Sequence, residues 1–264
     1  MSVIANGFHQ LSRAEYDAIP AVNHSRLRWM KHSPAHYAAQ ATIDKEATPA
    51  QARGQLLSVA LLEPDVFLDT VVVWRGGRRA GKEWQAFETA NAGKTILTEE
   101  EHRECVALSR AVRAHPVAGR YLAEGRGEVS MVWQLDGRRC KARLDWLCED
   151  GTVVDIKSTR DGSPDGYARE AWKYNVPSQS AWYADGYKAL TGVSPRYVLI
   201  VVEAELPHVV VTYPVGADVM SVGRELYTQW LAQLGACEQS GRWPGYESET
   251  NLRLPPWAAV QGET

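Results

Sequence analysis

Three charged residues near the middle of the chain have the types and spacing that metal-assisted hydrolysis needs. Asp145 ends one strand-like run, and Asp155 and Lys157 lie in the next, after an acidic turn at Glu149-Asp-Gly151. Two strand-like runs joined by a short glycine-containing turn predict a β-hairpin. Residues two apart share a face of a strand, so Asp155 and Lys157 point the same way. Asp145 is then expected near them, across the hairpin.

Such a group suits a hard cation and a water molecule. Asp145, Asp155 and the backbone carbonyl of Ile156 offer oxygen ligands, and Lys157 can orient the water or offset the charge of a phosphate. An isolated Asp-x-Lys is far more often a solvated hairpin. Here Val153, Val154 and Ile156 make the second strand apolar on both faces. The strand should therefore be central, where charged groups at its end need partners.

The composition describes one large domain with a proper core. The chain has 264 residues, 45% of them hydrophobic, and a net charge of −3. No overall basic field indicates nucleic acid, although a local patch could still bind it. The cysteines (Cys105, Cys140, Cys148 and Cys237) lack zinc-type spacing and are expected to be reduced and buried in a cytoplasmic protein. No signal peptide or membrane span is evident.

The order of predicted elements favours an α/β fold, a mixed central sheet flanked by helices. We expect a single domain, 1–264, with a polar N-terminal arm (1–20), a core (21–238) and an irregular tail (239–264). Ten tryptophans are many for this length, and several could stack on bases. The predicted helices and strands are, in order, helices from residues 23–25, 34 and 49 onwards, a strand at 66–74, a helix at 98–114, strands at 128–135, 139–148 and 153–157, a helix at 177–190, strands at 197–203 and 208–213, and a helix at 217–237.

Four ordered motifs resemble those of the PD-(D/E)xK nuclease superfamily, over residues 20–215. The hairpin carries the signature itself, and Gln179-Ser-Ala-Trp-Tyr183 matches the QxxxY helix of the RecB, lambda exonuclease and RecE branch. The segment 23–37 resembles the first helices of the RecE-like (exodeoxyribonuclease VIII-like) group, and 53–64 resembles that group's Gly-x-x-x-His-x-x-x-Leu-Glu-Pro segment. Lys141 to Trp146 resembles its Lys/Arg-x-Arg-x-Asp-Trp strand. Together the four motifs are much more specific than any one of them, and the resemblance implies a restriction-endonuclease-like fold.

The resemblance implies roles for the motif residues. Asp145 and Asp155 would be metal ligands and Lys157 the catalytic lysine. Gln179 and Tyr183 are four apart, hence on one helix face beside the site. An ordinary amphipathic helix would also explain this pair.

One motif position departs from the family. Ser58 stands where the family usually has a metal-binding histidine. Serine is a poor ligand for a divalent metal, so the site loses a ligand or holds a water there instead. His24, His32 and His36 are nearby candidates to replace it, although capping or surface roles are more common for such histidines.

Further residues are weaker candidates. Glu128, at the start of a strand next to the hairpin, is a possible support or metal-linked acid. A glycine-rich basic loop could follow a phosphate backbone. The candidate DNA contacts are Arg75, Arg78, Arg79 and Lys82 of this loop, Arg28 of the first helix, and Ser158 and Thr159 after the motif lysine.

The resemblance implies a Mg²⁺-dependent DNA exonuclease of phage or prophage origin, with Mn²⁺ as a possible substitute. It implies 5′ to 3′ resection of linear duplex for DNA recombination and repair. It further implies a ring-like homo-oligomer around DNA ends and a single-strand annealing partner of the RecT or Red beta kind. The scattered cysteines argue against the iron–sulfur branch. The alternatives are a single-strand or helicase-associated nuclease, a DNA-end binding module with a weakened site, and an α/β domain of unrelated function.

Overall fold

The computed structural model describes residues 4–41, 49–246 and 249–252, and within these it describes no side chains for 49–51. Its strands are β1 (Gly7–Gln10), β2 (Val22–Asn23), β3 (Val71–Trp74), β4 (Thr95–Thr98), β5 (Gly125–Leu135), β6 (Arg138–Cys148), β7 (Val153–Thr159), β8 (Tyr197–Glu203) and β9 (Val210–Pro214). Its α-helices are α1 (Arg13–Ala18), α2 (His24–Leu27), α3 (Pro34–Ala39), α4 (Pro49–Leu62), α5 (Pro64–Thr70), α6 (Lys82–Ala90), α7 (Glu99–Ala114), α8 (Ala118–Tyr121), α9 (Pro164–Lys173), α10 (Val176–Thr191) and α11 (Ala217–Ser240). A 3₁₀ turn, Arg28–Lys31, follows α2.

The main sheet is mixed and mostly antiparallel. Its order is β1-β5-β6-β7-β8-β9, and the short β2 pairs with β6. β5, β6 and β7 form consecutive antiparallel pairs, β7 and β8 run parallel, and β9 closes the far edge antiparallel to β8. The parallel step requires a long crossover, which α9 and α10 provide. A separate small sheet pairs β3 with β4.

Helices cover both faces of the main sheet. On one face, α2, α10 and α11 pack around a core that includes Leu27, Trp133, Trp182 and Trp230. On the other face, α4, α7 and α8 pack on Val154 and Ile156 of β7 and on neighbouring apolar residues. β7 is therefore buried on both sides, as its continuous apolar sequence predicts. The predicted fold class is confirmed.

Local signals explain where most elements begin and turn. Thr98 caps α7 in a capping box with Glu101. The predicted turn between β6 and β7 is present, and Gly151 adopts a φ of +83°, which a residue with a side chain rarely tolerates. A Cβ at this position would also lie 2.5 Å from the Tyr187 hydroxyl. The central hairpin of the sequence prediction is thus correct.

Other elements differ from the sequence predictions. The strand predicted for 66–74 is wrong over its first half, because Pro64 opens helix α5 and only Val71–Trp74 is extended. Helix α9, capped by Ser163, was not predicted, and neither were α6 and β4. The tail is irregular at 241–246 and 249–252, and the rest of it lies outside the described residues.

The N-terminal arm is part of the sheet, not an irregular polar segment. β1 pairs antiparallel with β5 at the sheet edge. The buried Lys141 ammonium donates to the carbonyls of Tyr16 and Ile19 at 2.8 and 2.9 Å and also to that of Asp17. Burial lowers the pKa of Lys141. These hydrogen bonds fasten the end of α1 to the strand that carries Asp145. Among the described residues no helix is long and apolar enough to cross a membrane.

Candidate functional site

The hairpin strands separate where the carboxylates begin. β6 and β7 pair at Leu147–Val153 and Trp146–Val154, and the same register makes Asp145 and Asp155 the next opposed residues. In place of a ladder hydrogen bond, the Asp145 carboxylate accepts a hydrogen bond from the Ile156 N–H at 2.7 Å. The separated strands therefore leave both acids at the mouth of a split in the sheet.

A break in the strand pattern aims Asp145 into that split. Leu144 of β6 packs on the α10 side of the sheet, whereas Trp146, two residues later, packs on the α4 side. Side chains two apart should share a face, so the alternation fails at Asp145. On β5, Glu128 lies opposite Asp145 between the pairs Gly127–Trp146 and Val129–Leu144, and its φ is +53°.

Asp155 and Lys157 form a close ion pair, as their spacing predicts. Lys157 Nζ lies 2.6 Å from Asp155 Oδ2, with 2% of the aspartate side chain and 24% of the lysine side chain exposed. Gln179 donates to the other oxygen of Asp155 at 3.4 Å, and Tyr183 interacts with Gln179 from the next turn of α10. The structure therefore brings all five predicted catalytic residues together.

The proximity of these charges shifts their proton affinities. Burial, followed by the charge of Asp155, raises the pKa of Asp145 well above its usual range. Burial alone would lower the pKa of Lys157, but the charges of Asp155 and Asp145 outweigh it and leave that pKa raised. Burial also raises the pKa of Tyr183. The two neighbouring carboxylates create an excess of negative charge that the Lys157 ammonium offsets in part.

A cleft lies in front of this group, between the sheet and α4, and we call it the catalytic cleft because it holds predicted catalytic residues. It has a volume of about 730 Å³. Its lining includes Asp145, Ile156, Lys157, Ser158 and Tyr183, and further Tyr16, Ser58, Glu63, Glu128 and Arg143. The cleft is thus polar, with both signs of charge on its walls.

Ser58 lines the cleft where the family histidine would stand, but its hydroxyl is already engaged. It donates to the carbonyl of Gly54, one turn earlier in α4, at 3.1 Å. Among the described residues, no three His, Cys, Asp or Glu side chains form a cluster able to hold a metal ion. α4 therefore contributes no strong ligand in this arrangement.

The nearby histidines do not take the place of the missing ligand. His24 is buried behind the site and contacts the Ser178 hydroxyl at 2.9 Å, and burial lowers its pKa to about 3. His36 contacts the Ser33 hydroxyl at 2.7 Å, and its ring packs near those of His32 and Tyr246. None of the three histidines lines the cleft.

Glu128 faces the cleft, but a cation holds it. Its carboxylate pairs with Arg143, which also donates to the carbonyl of Leu11. Burial and the charge of Glu128 raise the pKa of the neighbouring Glu63. Glu63 and Arg143 were not among the predicted site residues. Arg143 alternates with Lys141 and Asp145 in the strand motif, and this spacing was the available signal.

The other predicted DNA contacts divide between the cleft and more distant positions. Ser158 lines the cleft, whereas the buried Thr159 hydroxyl donates to Glu170 at 2.7 Å. Arg28 lies close enough for its charge to act on Lys157. The predicted basic loop, Arg75 to Lys82, does not line the cleft.

The loop cations are partly neutralised. Arg75 lies 3.2 Å from Glu99, and Arg79 lies 2.8 Å from Glu101. Lys82 begins α6. This leaves Arg78 and Lys82 as the loop cations with no ion pair to a described residue.

A divalent cation fits these residues in chemical terms. Asp155 Oδ2 is buried, and it lies 2.6 Å from the Lys157 ammonium. The oxygens of Asp145, Asp155 and the Ile156 carbonyl are hard donors, which Mg²⁺ prefers. Mg²⁺ keeps several waters, so a site with few protein ligands remains suitable.

Comparisons with known proteins give a family and a fold for the chain. The family described as a PDDEXK-like domain of unknown function matches residues 23–253. A crystal structure titled "Putative exonuclease" from Eubacterium rectale aligns at a TM-score of 0.65 and 12% identity, covering 94% of this chain and 96% of that one. At this identity the likeness shows a shared fold.

Two other solved structures align poorly. They are SSO0001, with a TM-score of 0.26, 13% identity and coverage of 67% and 84% of the two chains, and VC1899 from Vibrio cholerae, with a TM-score of 0.23, 13% identity and coverage of 83% and 57%. TM-scores this low do not indicate a shared fold. No curated protein matches the chain.

Proposed function

Because this chain belongs to the PDDEXK-like family, we propose that it is a metal-dependent nuclease that hydrolyses phosphodiester bonds in DNA. The observation that carries the proposal is the convergence of Asp145, Asp155, Lys157 and Gln179 at the split between β6 and β7. A hairpin with only a structural role has no need to place two carboxylates and a lysine at one buried point. We further propose that the enzyme is an exonuclease on linear duplex.

The roles of the residues follow from their positions. Asp145, Asp155 and the Ile156 carbonyl would hold the metal, which PDDEXK nucleases generally use, and we propose Mg²⁺. When bound, the metal would supply positive charge for water activation and phosphate neutralisation. The Lys157 ammonium, beside Asp155, is placed to donate to a phosphate oxygen or to the attacking water. Gln179 holds Asp155 in place through its amide.

Polarity and assembly are proposals that rest on the RecE-like resemblance alone. They comprise 5′ to 3′ degradation, a ring-like homo-oligomer around a DNA end, a role in recombination and a strand-annealing partner. A second candidate function, a DNA-end binding module with weakened catalysis, is favoured by one observation. Ser58 stands in place of a ligand, with its hydroxyl directed to its own helix.

A nuclease assay distinguishes these functions. Linear duplex labelled at the 5′ end, the corresponding single strand and covalently closed circles are incubated with and without Mg²⁺. We expect Mg²⁺-dependent loss of the linear duplex and no loss of the circles. Binding of linear ends without degradation would favour the binding module.

The same assay with variants tests the site. We expect Lys157→Ala to lower the rate by about a hundredfold to a thousandfold, because the variant loses a donor that would stabilise the negative charge developing in the transition state. Lys188→Ala is a matched control, because Lys188 is exposed on α10. Equal activity of the two variants would show that the cleft is not the catalytic site.

A further inference from the structure

A second groove continues from the catalytic cleft and is strongly basic. The two depressions share Ser158, the residue after the motif lysine, and the second has a volume of about 690 Å³. We call it the basic groove and define it by Arg53, Arg160, Arg169, Lys173 and Tyr174 of its lining. The basic groove therefore adjoins the catalytic cleft at Ser158.

The cations of the basic groove are available to a ligand. Arg53, Arg160, Arg169 and Lys173 are all exposed, and none forms an ion pair with another described residue. Two acids, Glu170 and Glu205, also line the groove. Glu170 already accepts the hydrogen bond of Thr159. The groove thus keeps a positive balance, in contrast to the loop at 75–82, where Glu99 and Glu101 pair with arginines.

One face of α9 organises this surface. Residues 166, 169, 170 and 173 of α9 line the groove, a spacing of three and four that places them on one face of the helix, and Tyr174 at its C-cap joins them. Tyr174 is 51% exposed, and Trp172, next to the lining but not part of it, is 54% exposed. Each ring has an ammonium over it, that of Lys173 5.4 Å from the Tyr174 ring and that of Lys31 5.9 Å from the Trp172 ring, so cations and exposed rings occur together here.

We propose that the basic groove holds the backbone of a single DNA strand whose scissile phosphate lies in the catalytic cleft. The proposal rests on the nuclease function. The cations would contact successive phosphates, and Tyr174 and Trp172 would stack on unpaired bases. Stacking of this kind requires bases free of their complement, so the rings favour a single strand over duplex.

Binding measurements without catalysis test the groove. The dissociation constants of a fluorescent single strand and of its duplex are measured by anisotropy in EDTA at several salt concentrations. We expect the triple variant Arg160→Ala, Arg169→Ala, Lys173→Ala to bind the single strand at least about tenfold more weakly at low salt. Its salt slope should be smaller by about two, since each phosphate contact on a single strand contributes about 0.7.

The matched control removes three cations from the predicted basic loop instead, by Arg75→Ala, Arg78→Ala and Arg79→Ala. We expect this variant to bind single strands like the wild type. The proposal is overturned if the loop variant loses as much affinity as the groove variant. It is also overturned if the groove variant keeps full affinity, or loses affinity for duplex only.

The aromatic side chains provide an independent measurement. Trp172→Ala with Tyr174→Ala should weaken single-strand binding by about fivefold or more while leaving the salt slope unchanged, because stacking is not a charge contact. Photo-cross-linking of an oligonucleotide with iodinated bases should label the α9 peptide. Labelling of the 75–82 peptide in its place would count against the groove.

The two proposals fail separately. Binding in EDTA reports the groove, whereas Mg²⁺-dependent cleavage reports the nuclease. If the wild-type protein binds single strands through the groove but never cleaves DNA, the nuclease proposal alone is refuted. If the wild-type protein cleaves DNA but the groove variant binds single strands with unchanged affinity, the groove proposal alone is refuted.

Discussion

The two walls of the catalytic cleft differ in how completely they are built. The sheet wall consists of Asp145, Asp155 and Lys157, supported by Gln179 of α10, and each of these residues makes a hydrogen bond or an ion pair with another of them or with the backbone of β7. The helix wall is the face of α4 with Ser58, whose hydroxyl returns to the carbonyl of Gly54. The sheet wall is thus organised for a cation, whereas Ser58 of α4 offers it no strong ligand.

The difference shows which parts of such a site depend on one another. Asp155 and Lys157 form an ion pair, and removing either one leaves the buried charge of the other without its closest partner. A metal ligand on α4 would contact the metal and not these charged residues, so its presence or absence would not disturb them. We therefore expect changes in the sheet wall to be severe and changes in the helix wall to be graded.

The largest effect is expected from Asp155→Asn. This variant keeps the shape of the side chain but removes the charge that faces Lys157. Loss of a metal ligand costs several kcal/mol of transition-state stabilisation, on the order of a thousandfold in rate. The measurement is the Mg²⁺-dependent degradation of linear duplex, with thermal unfolding to verify the fold.

Asp65→Asn is the control for Asp155→Asn, because Asp65 is exposed on α5. It should leave the rate unchanged. Activity of Asp155→Asn within tenfold of the wild type would mean that the sheet wall does not hold the metal.

A smaller effect is expected from Gln179→Ala. Gln179 donates to Asp155 at 3.4 Å, and residues that orient a metal ligand typically affect metal affinity or activity by about 10–100-fold. The Mg²⁺ concentration for half-maximal rate should rise, whereas Gln233→Ala on the exposed face of α11 should not change it. An unchanged Mg²⁺ requirement for Gln179→Ala would mean that Gln179 of α10 does not orient Asp155 as a metal ligand.

The sheet wall could be predicted from sequence because its signals are local. Asp145, Asp155 and Lys157 lie on one hairpin, and a four-residue spacing places Gln179 and Tyr183 on one helix face. Ser58 was also recognised, by its position in a motif. What the sequence could not show was the engagement of its hydroxyl by Gly54, which depends on the rotamer.

The groove escaped prediction because its cations are scattered along the chain. Arg53 lies on α4, Arg160 follows β7, and Arg169 and Lys173 lie on a helix that was not predicted. The glycine-rich run at 75–82 was conspicuous because its charges are consecutive. A run of basic residues does not reveal which acidic residues will lie beside it in the folded protein. Here Glu99 and Glu101 form ion pairs with Arg75 and Arg79.

The helix wall can be completed by design. Ser58→His should lower the half-saturating Mg²⁺ or Mn²⁺ concentration by about tenfold, which corresponds to about 1.4 kcal/mol of added binding. Ser58→Ala should leave it unchanged, because the serine hydroxyl serves only its own helix. Metal titrations of the cleavage rate measure both variants.

The alanine variant gives the sharper result. If Ser58→Ala raises the metal requirement, the hydroxyl must hold a water of the metal shell. The helix wall would then contribute to the site, and the contrast between the walls would be smaller than the structure indicates.

The smallest effect on the metal site itself concerns the support behind the sheet wall, which is measured as stability. His24 of α2 contacts Ser178, the residue before Gln179, and burial followed by the charges of Arg28 and Lys157 lowers its pKa to about 3. Because the Ser178 hydroxyl donates to the carbonyl of Asn175, His24 is the donor in its contact with Ser178. Burial and the two nearby cations therefore favour the neutral ring, with its proton on the nitrogen that faces Ser178.

The sign of the pH effect follows from this. Below the unfolded pKa of 6.5 the unfolded chain takes up a proton at His24 that the folded protein does not. The free energy of unfolding then falls as the pH falls towards about 3, by up to about 1.4 kcal/mol per unit. His24→Gln keeps a donor for Ser178 without this proton uptake, so its stability in urea should decline less steeply between about pH 6 and pH 4. His32→Gln, at an exposed position, should retain the wild-type slope, and the carboxylates common to all three proteins cancel in the comparison. Equal slopes for the two variants would mean that His24 is not held neutral against α10, and that the sheet wall lacks this support.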